Sequence, residues 1–73
     1  MTIKERIDEG LDRISRLGAK PVRIVLTEAD LAELGGLKAG HDYRGVMLGE
    51  GQIGGHSYIE TEAAPSGDTN VAI

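Results

Sequence analysis

The sequence predicts an α+β fold: an N-terminal helix followed by β-α-β-β, with a three-stranded sheet packed on helices over one face. Three observations predict it. Ile3, Ile7, Leu11, Ile14 and Leu17 recur at steps of four, four, three and three, which places all five on one stripe of a helix. Val22-Arg23-Ile24-Val25-Leu26 is a β-branched run behind Pro21. Residues 43–48 and 56–62 form two further strand segments on either side of a glycine-rich stretch.

The helix has its own boundaries. Thr2 with Glu5 three residues on is a capping box, Gly18 stands where a left-handed C-terminal cap belongs, and Glu9/Arg13 and Asp12/Arg16 are spaced as favourable helical ion pairs. Its apolar stripe covers barely two heptads, which suits packing on a sheet better than a free-standing coiled coil. In the first strand, alternation turns Val22, Ile24 and Leu26 inward. Thr27 then caps a second helix whose first turn carries Glu28 and Asp30. Leu26 and Leu31 make a hydrophobic staple, and Gly35 and Gly36 stop the helix. Residues 37–42 carry the chain into the strand at 43–48, which is expected to pair with 56–62 through a hairpin loop of four glycines.

Length and composition narrow the function classes. A chain of 73 residues makes one domain, here expected over 1–62, and buries only about 60% of its unfolded surface, which leaves little to order an elaborate catalytic cleft. Phe, Trp and Cys are absent, so the core must come from aliphatic residues, and neither disulfides nor cysteine-held zinc can reinforce it. Residues 63–73 read as a mobile tail rich in Pro, Ser, Gly and Asp, with Val71, Ala72 and Ile73 either frayed or forming a short added strand. Charges occupy the positions where a signal peptide needs an apolar run, and no stretch approaches the ~20 apolar residues of a membrane span, so a soluble, cytoplasmic protein is expected.

Catalytic motifs are thin. Gly49-Glu50-Gly51-Gln52-Ile53-Gly54 matches the G-x-G-x-x-G pattern, but a nucleotide site needs a helix after the glycines and an acid about 20 residues later, whereas a strand follows here. His41, Asp42, His56 and Glu60 are the candidates for a metal site, without a recognised spacing. Ser57 beside His56 suggests a nucleophile and base, yet neighbouring strand residues point to opposite faces. The expectation is no catalytic residue, no cofactor and no metal.

Charge and alternation are more informative. The net charge of −4 conceals an asymmetry: residues 1–23 hold six of the eight basic residues against four acids, giving +2, and the remainder is −6. Such a surface repels phosphates and attracts basic partners. Sorting the strands by face puts Val22, Ile24, Leu26, Val46, Leu48 and Ile59 under the helices, and Arg23, Val25, Tyr43, Met47, His56, Tyr58 and Glu60 on the opposite side. Tyrosine and methionine among charged groups have the composition of an interaction patch. The expected contact residues are Glu28, Glu33, Glu50, Glu60 and Glu62 for charge, with Tyr43 and Tyr58 as anchors.

Strand, short helix, Leu37-Lys38-Ala39-Gly40, strand, glycine-rich turn and strand over residues 22–62 resemble the swapped-hairpin domain of AbrB-type transcription factors and antitoxins. That resemblance implies a dimeric DNA-binding regulator whose hairpins interlock between subunits. Only Lys20 and Arg23 match the basic residues such domains carry near the first strand. The whole chain, with residues 22–31 followed by Tyr43-Arg44-Gly45-Val46, is similar to the small acidic, cysteine-free α+β proteins of phages and prophages, among them anti-CRISPR proteins. This second resemblance implies inhibition of a host nucleic-acid-binding complex by an acidic surface that takes the place of DNA or RNA. The sequence is accordingly read as a non-enzymatic, phage-encoded inhibitor of a basic host protein or nucleoprotein complex, acting in the host cytoplasm without touching nucleic acid or membrane. The chain itself is expected to be a monomer or weak homodimer, and the AbrB-like regulator is the alternative reading.

Overall fold

A computed structural model describes residues 2–62 and 70–73. In chain order its elements are α1 (Ile3–Arg16), β1 (Pro21–Leu26), α2 (Glu28–Glu33), β2 (Asp42–Tyr43), β3 (Val46–Glu50), β4 (Tyr58–Thr61) and β5 (Asn70–Ala72). The class is α+β, as the periodicities predict.

α1 begins at the expected capping box, with the Thr2 hydroxyl accepting from the Glu5 N–H and the Glu5 carboxylate reaching back to the Thr2 N–H. It ends at Leu17, followed by Gly18 at φ 76. Ile3, Ile7, Leu11 and Ile14 are buried against Ile24, Leu26, Val46, Leu48 and Ile59 of the sheet. Leu17, the last member of the stripe, is 74% exposed, because the helix has already ended there. Gly10 lies under the sheet: a Cβ on it would come within 2.9 Å of Ile59 Cδ1, so the missing side chain lets helix and sheet approach.

The sheet differs from the expected three strands. Among the described residues it has five, in the order β2-β3-β1-β4-β5. β1 sits at the centre, parallel to β3 and antiparallel to β4. Residues 43–48 and 56–62 therefore do not pair, and the glycine loop is not a simple hairpin between them. It steps over the end of β1, where the Gly51 N–H donates to the Leu26 carbonyl. β1 takes the centre because it is apolar on both faces: Ile24, Val25 and Leu26 are all buried, which an edge strand does not require.

The segment 43–48 is itself broken. Arg44 (φ 54) and Gly45 (φ 82) form a two-residue turn between β2 and β3 that aligns Tyr43 with Val46. This resets the alternation, so Tyr43 shares the helix face with Val46 and packs against the core instead of facing the other way. Val22 is also misplaced by simple alternation: the ladder shifts between Pro21 and Arg23, and Val22 is 49% exposed. Asn70–Ala72 pair with β4, the added-strand alternative for that part of the tail. Residues 63–69, also expected to belong to the tail, lie outside the described residues. No helix among the described residues is long and apolar enough to cross a membrane.

Candidate functional site

The parallel register aligns Leu26 with Glu50, so the end of β3 and the start of α2 meet at one end of the sheet. Thr27 caps α2 as expected, its hydroxyl accepting from the Asp30 N–H at 3.2 Å. Ser57 fixes this corner from β4's side: its Oγ accepts from the Thr27 N–H at 2.9 Å and donates to Asp30 Oδ2 at 2.5 Å. A buried hydroxyl engaged as both donor and acceptor is a structural tie. Ser57 is 1% exposed, which removes it from the surface where a nucleophile would act.

Above this corner lies an open depression of about 690 Å³, lined by Thr27, Glu28, Ala29, Ala32, Glu50, Gly51 and Gln52. Two of the predicted contact acids, Glu28 and Glu50, come together here from different elements, and no Lys or Arg lines the depression. Both are exposed. Two carboxylates on an open rim with apolar Ala29 and Ala32 between α2 and the loop suit the docking of a cationic side chain with an aliphatic stem.

The other predicted contact residues are distributed elsewhere. Tyr58 and Glu60 lie on the sheet face away from α1, beside Val25 and Arg23. Glu33 is exposed at the close of α2. Glu62 is at the opposite end of the sheet, where its N–H donates to the Lys20 carbonyl. Tyr43 belongs to a latch that closes the β2–β3 turn onto α1. Its O–H donates to Asp8 Oδ1 at 3.0 Å, while Arg44 reaches Asp8 at 3.3 Å and Asp12 at 3.4 Å. Burial, then the bond to Asp8 and the charge of Asp8, raise the Tyr43 pKa above its ordinary 10.0, with Arg44 opposing. Hydrogen bonds to Asp12 and then Asp8 raise that of Arg44. The expected helical pairs Glu9/Arg13 and Asp12/Arg16 are not ion-paired among the described residues, and Asp12 is taken by Arg44 instead.

The histidines are held apart from any common centre. His41 Nδ1 accepts from the Lys38 N–H at 2.9 Å, and His56 sits at a Gly54-Gly55 turn opposite Ile53. Among the described residues no three His, Cys, Asp or Glu residues are grouped as a metal site. The G-x-G-x-x-G segment leads into that turn and then β4, with no helix start at its end.

Sequence reasoning missed Ser57 as the tie at the α2 cap, and it placed Arg23 and Met47 on the face away from the helices without recognising β1 as the central strand. The signal for the latter was available in the run Val22 to Leu26, whose apolar character on both faces marks a central strand. No family model matches the chain, and no curated protein or solved structure matches it either.

Proposed function

We propose that this protein is a non-enzymatic, protein-binding inhibitor that uses the acidic end of its sheet to occupy a basic, nucleic-acid-binding surface on another protein. The convergence of Glu28 and Glu50 on one open depression with no Lys or Arg in its lining carries this reading. Exposed carboxylates that lack an internal partner stay hydrated until a cationic group replaces the water, so they steer a basic partner and set its orientation. The net charge of −4 keeps the chain itself off phosphate backbones. This is the mode of action implied by the resemblance to phage-encoded inhibitors, with the contact narrowed from seven scattered residues to the corner where two of them meet.

The test uses the wild-type chain and a Glu28→Gln/Glu50→Gln variant as paired baits in a bacterial lysate, followed by titration of the captured protein over a salt series. The double substitution is expected to weaken binding at least about tenfold and flatten its salt dependence, and added nucleic acid should displace the wild-type chain. Equal affinity of the two baits would overturn the acidic-end reading. Salt-sensitive binding of DNA by the chain alone would replace it with the regulator.

A further inference from the structure

We propose that the sheet face opposite α1 is the seat of a second copy of this chain, in a two-fold dimer whose axis runs along the strands between β1 and β4. This rests on a different surface from the acidic corner, and neither reading needs the other.

Cα partners in neighbouring strands share a face, so the registers specify what this side presents. One row crosses the sheet as Asp42, Met47, Arg23, Glu60 and Asn70, and the next as Gly49, Val25, Tyr58 and Ala72. Both helices pack on the other face, and on this one only Val25 is buried, at 5% exposed, where a Cβ on Gly51 would come within 3.1 Å of its Cγ1. Met47 is 44% exposed and Arg23 is exposed, while Tyr58 and Glu60 are half-buried.

Arg23 and Glu60 are opposite charges directly across an antiparallel pair, a position in which such groups ordinarily join. They do not: neither takes part in an ion pair among the described residues. The Arg23 stem instead lies across Gly49, where a Cβ would come within 2.8 Å of its Cδ. Gly49 is on β3, so the arginine leans away from β4 and from Glu60. The face thus offers one cation and one carboxylate in adjacent strands that have no ion-pair partner among the described residues.

Rotation by half a turn about an axis between those strands superposes each group on its complement. Arg23 of one copy faces Glu60 of the other, twice, because a two-fold contact is reciprocal. Met47 faces Asn70, and Gly49 faces Ala72, so small residues meet where the two sheets must come within ~10 Å. Five strands about 4.8 Å apart and averaging four residues in length give a footprint of about 300 Å², well under the ~800 Å² per partner of a standard interface. The dimer is therefore weak and reversible, with the charge pairs fixing its register more than its strength.

Sedimentation equilibrium of the wild-type chain from low micromolar to near-millimolar concentration tests this, alongside Arg23→Glu, Glu60→Arg and an equimolar mixture of the two variants. Wild type should shift from monomer to dimer across the range. Each variant alone opposes like charges and should dimerise at least about tenfold more weakly, whereas the mixture restores both pairs and should recover the heterodimer. A wild-type chain that stays monomeric throughout overturns the proposal whatever the variants do. So does a mixture that associates no better than its components.

Discussion

On one side of the sheet Ile24 and Ile59 are 0% exposed and Leu48 is 3% exposed beneath α1, while on the other Met47 is 44% exposed between exposed Asp42 and Arg23. These residues alternate along the same strands, and a single step along β3 from Met47 to Leu48 passes from one regime to the other. The difference separates two tasks. Aliphatic burial under α1 holds the fold, in a chain with neither disulfides nor Phe and Trp to help. The opposite face and the acidic corner carry charge that contributes little to stability and is free to meet a partner. Substitutions should therefore sort by face.

The largest effect is expected at the centre of the covered face. Ile7→Ala deletes a fully buried side chain at the middle of the α1 stripe and should cost about 2–5 kcal/mol, comparable with the whole ~5 kcal/mol stability of a small domain. Met47→Ala on the other face should stay within about 0.5 kcal/mol of wild type. Urea denaturation of both variants checks the contrast, and comparable losses would erase the distinction between the faces.

Ser57→Ala comes next, because it tests whether the acidic corner depends on a buried tie. The substitution leaves the Thr27 N–H and the Asp30 carboxylate without their shared partner and should cost about 1–3 kcal/mol. Amide exchange should accelerate in α2 before the rest of the chain. Unchanged protection of α2 would show that the helix is held by its apolar contacts alone.

The covered face was largely legible in the sequence, and the reason is periodicity. Ile3, Ile7, Leu11 and Ile14 announce a helix stripe, and Ile24, Leu26, Val46, Leu48 and Ile59 fall on the face that alternation assigns them. Strand order was not legible. Glycines at 49, 51, 54 and 55 satisfy a hairpin and a loop over a strand end equally well, so local chemistry could not tell which strand neighbours which. Tyr43 went to the wrong face because Arg44-Gly45 was not recognised as a turn. Arginine is an unusual residue for positive φ, and here the turn is secured by Asp8 and Asp12, both distant in sequence. The candidate site was only half visible: composition marked the acids, but only the parallel pairing of β1 and β3 brought Glu28 and Glu50 together.

A subtler effect should appear where Gly10 of α1 meets Ile59 of the sheet. Gly10→Ala gains about 1 kcal/mol of helix propensity but brings a methyl within 2.9 Å of Ile59 Cδ1, the end of a fully buried side chain that must then rotate away, so the single substitution should fall short of that gain. Ile59→Val removes that Cδ1 atom at a cost of about 0.5–1.5 kcal/mol. Combined, the two should be better than additive by about 1 kcal/mol, since the new methyl occupies the room the old one leaves. Additivity within experimental error would mean that Gly10 is not what sets the spacing.

The smallest predicted effect concerns the latch at the rim of the covered face, and it is recognisable by its pH dependence more than its size. Tyr43→Phe removes the bond to Asp8, whose side chain is 38% exposed, so solvent screening limits the loss to about 0.5 kcal/mol. Burial and Asp8 both favour the neutral phenol, which is why its pKa in the folded chain lies above the ordinary 10.0. The folded state then holds this proton more tightly than the unfolded state, and stability falls with pH wherever the folded chain binds more protons. The contribution of Tyr43 is therefore complete below about pH 10 and is lost as pH rises through the raised folded value. Urea midpoints for wild type and Tyr43→Phe from neutral pH to pH 11 should converge, or cross, only at the alkaline end. A difference that stays constant across the range would mean that the ring's packing, and not its hydroxyl, is what fastens the β2–β3 turn to α1.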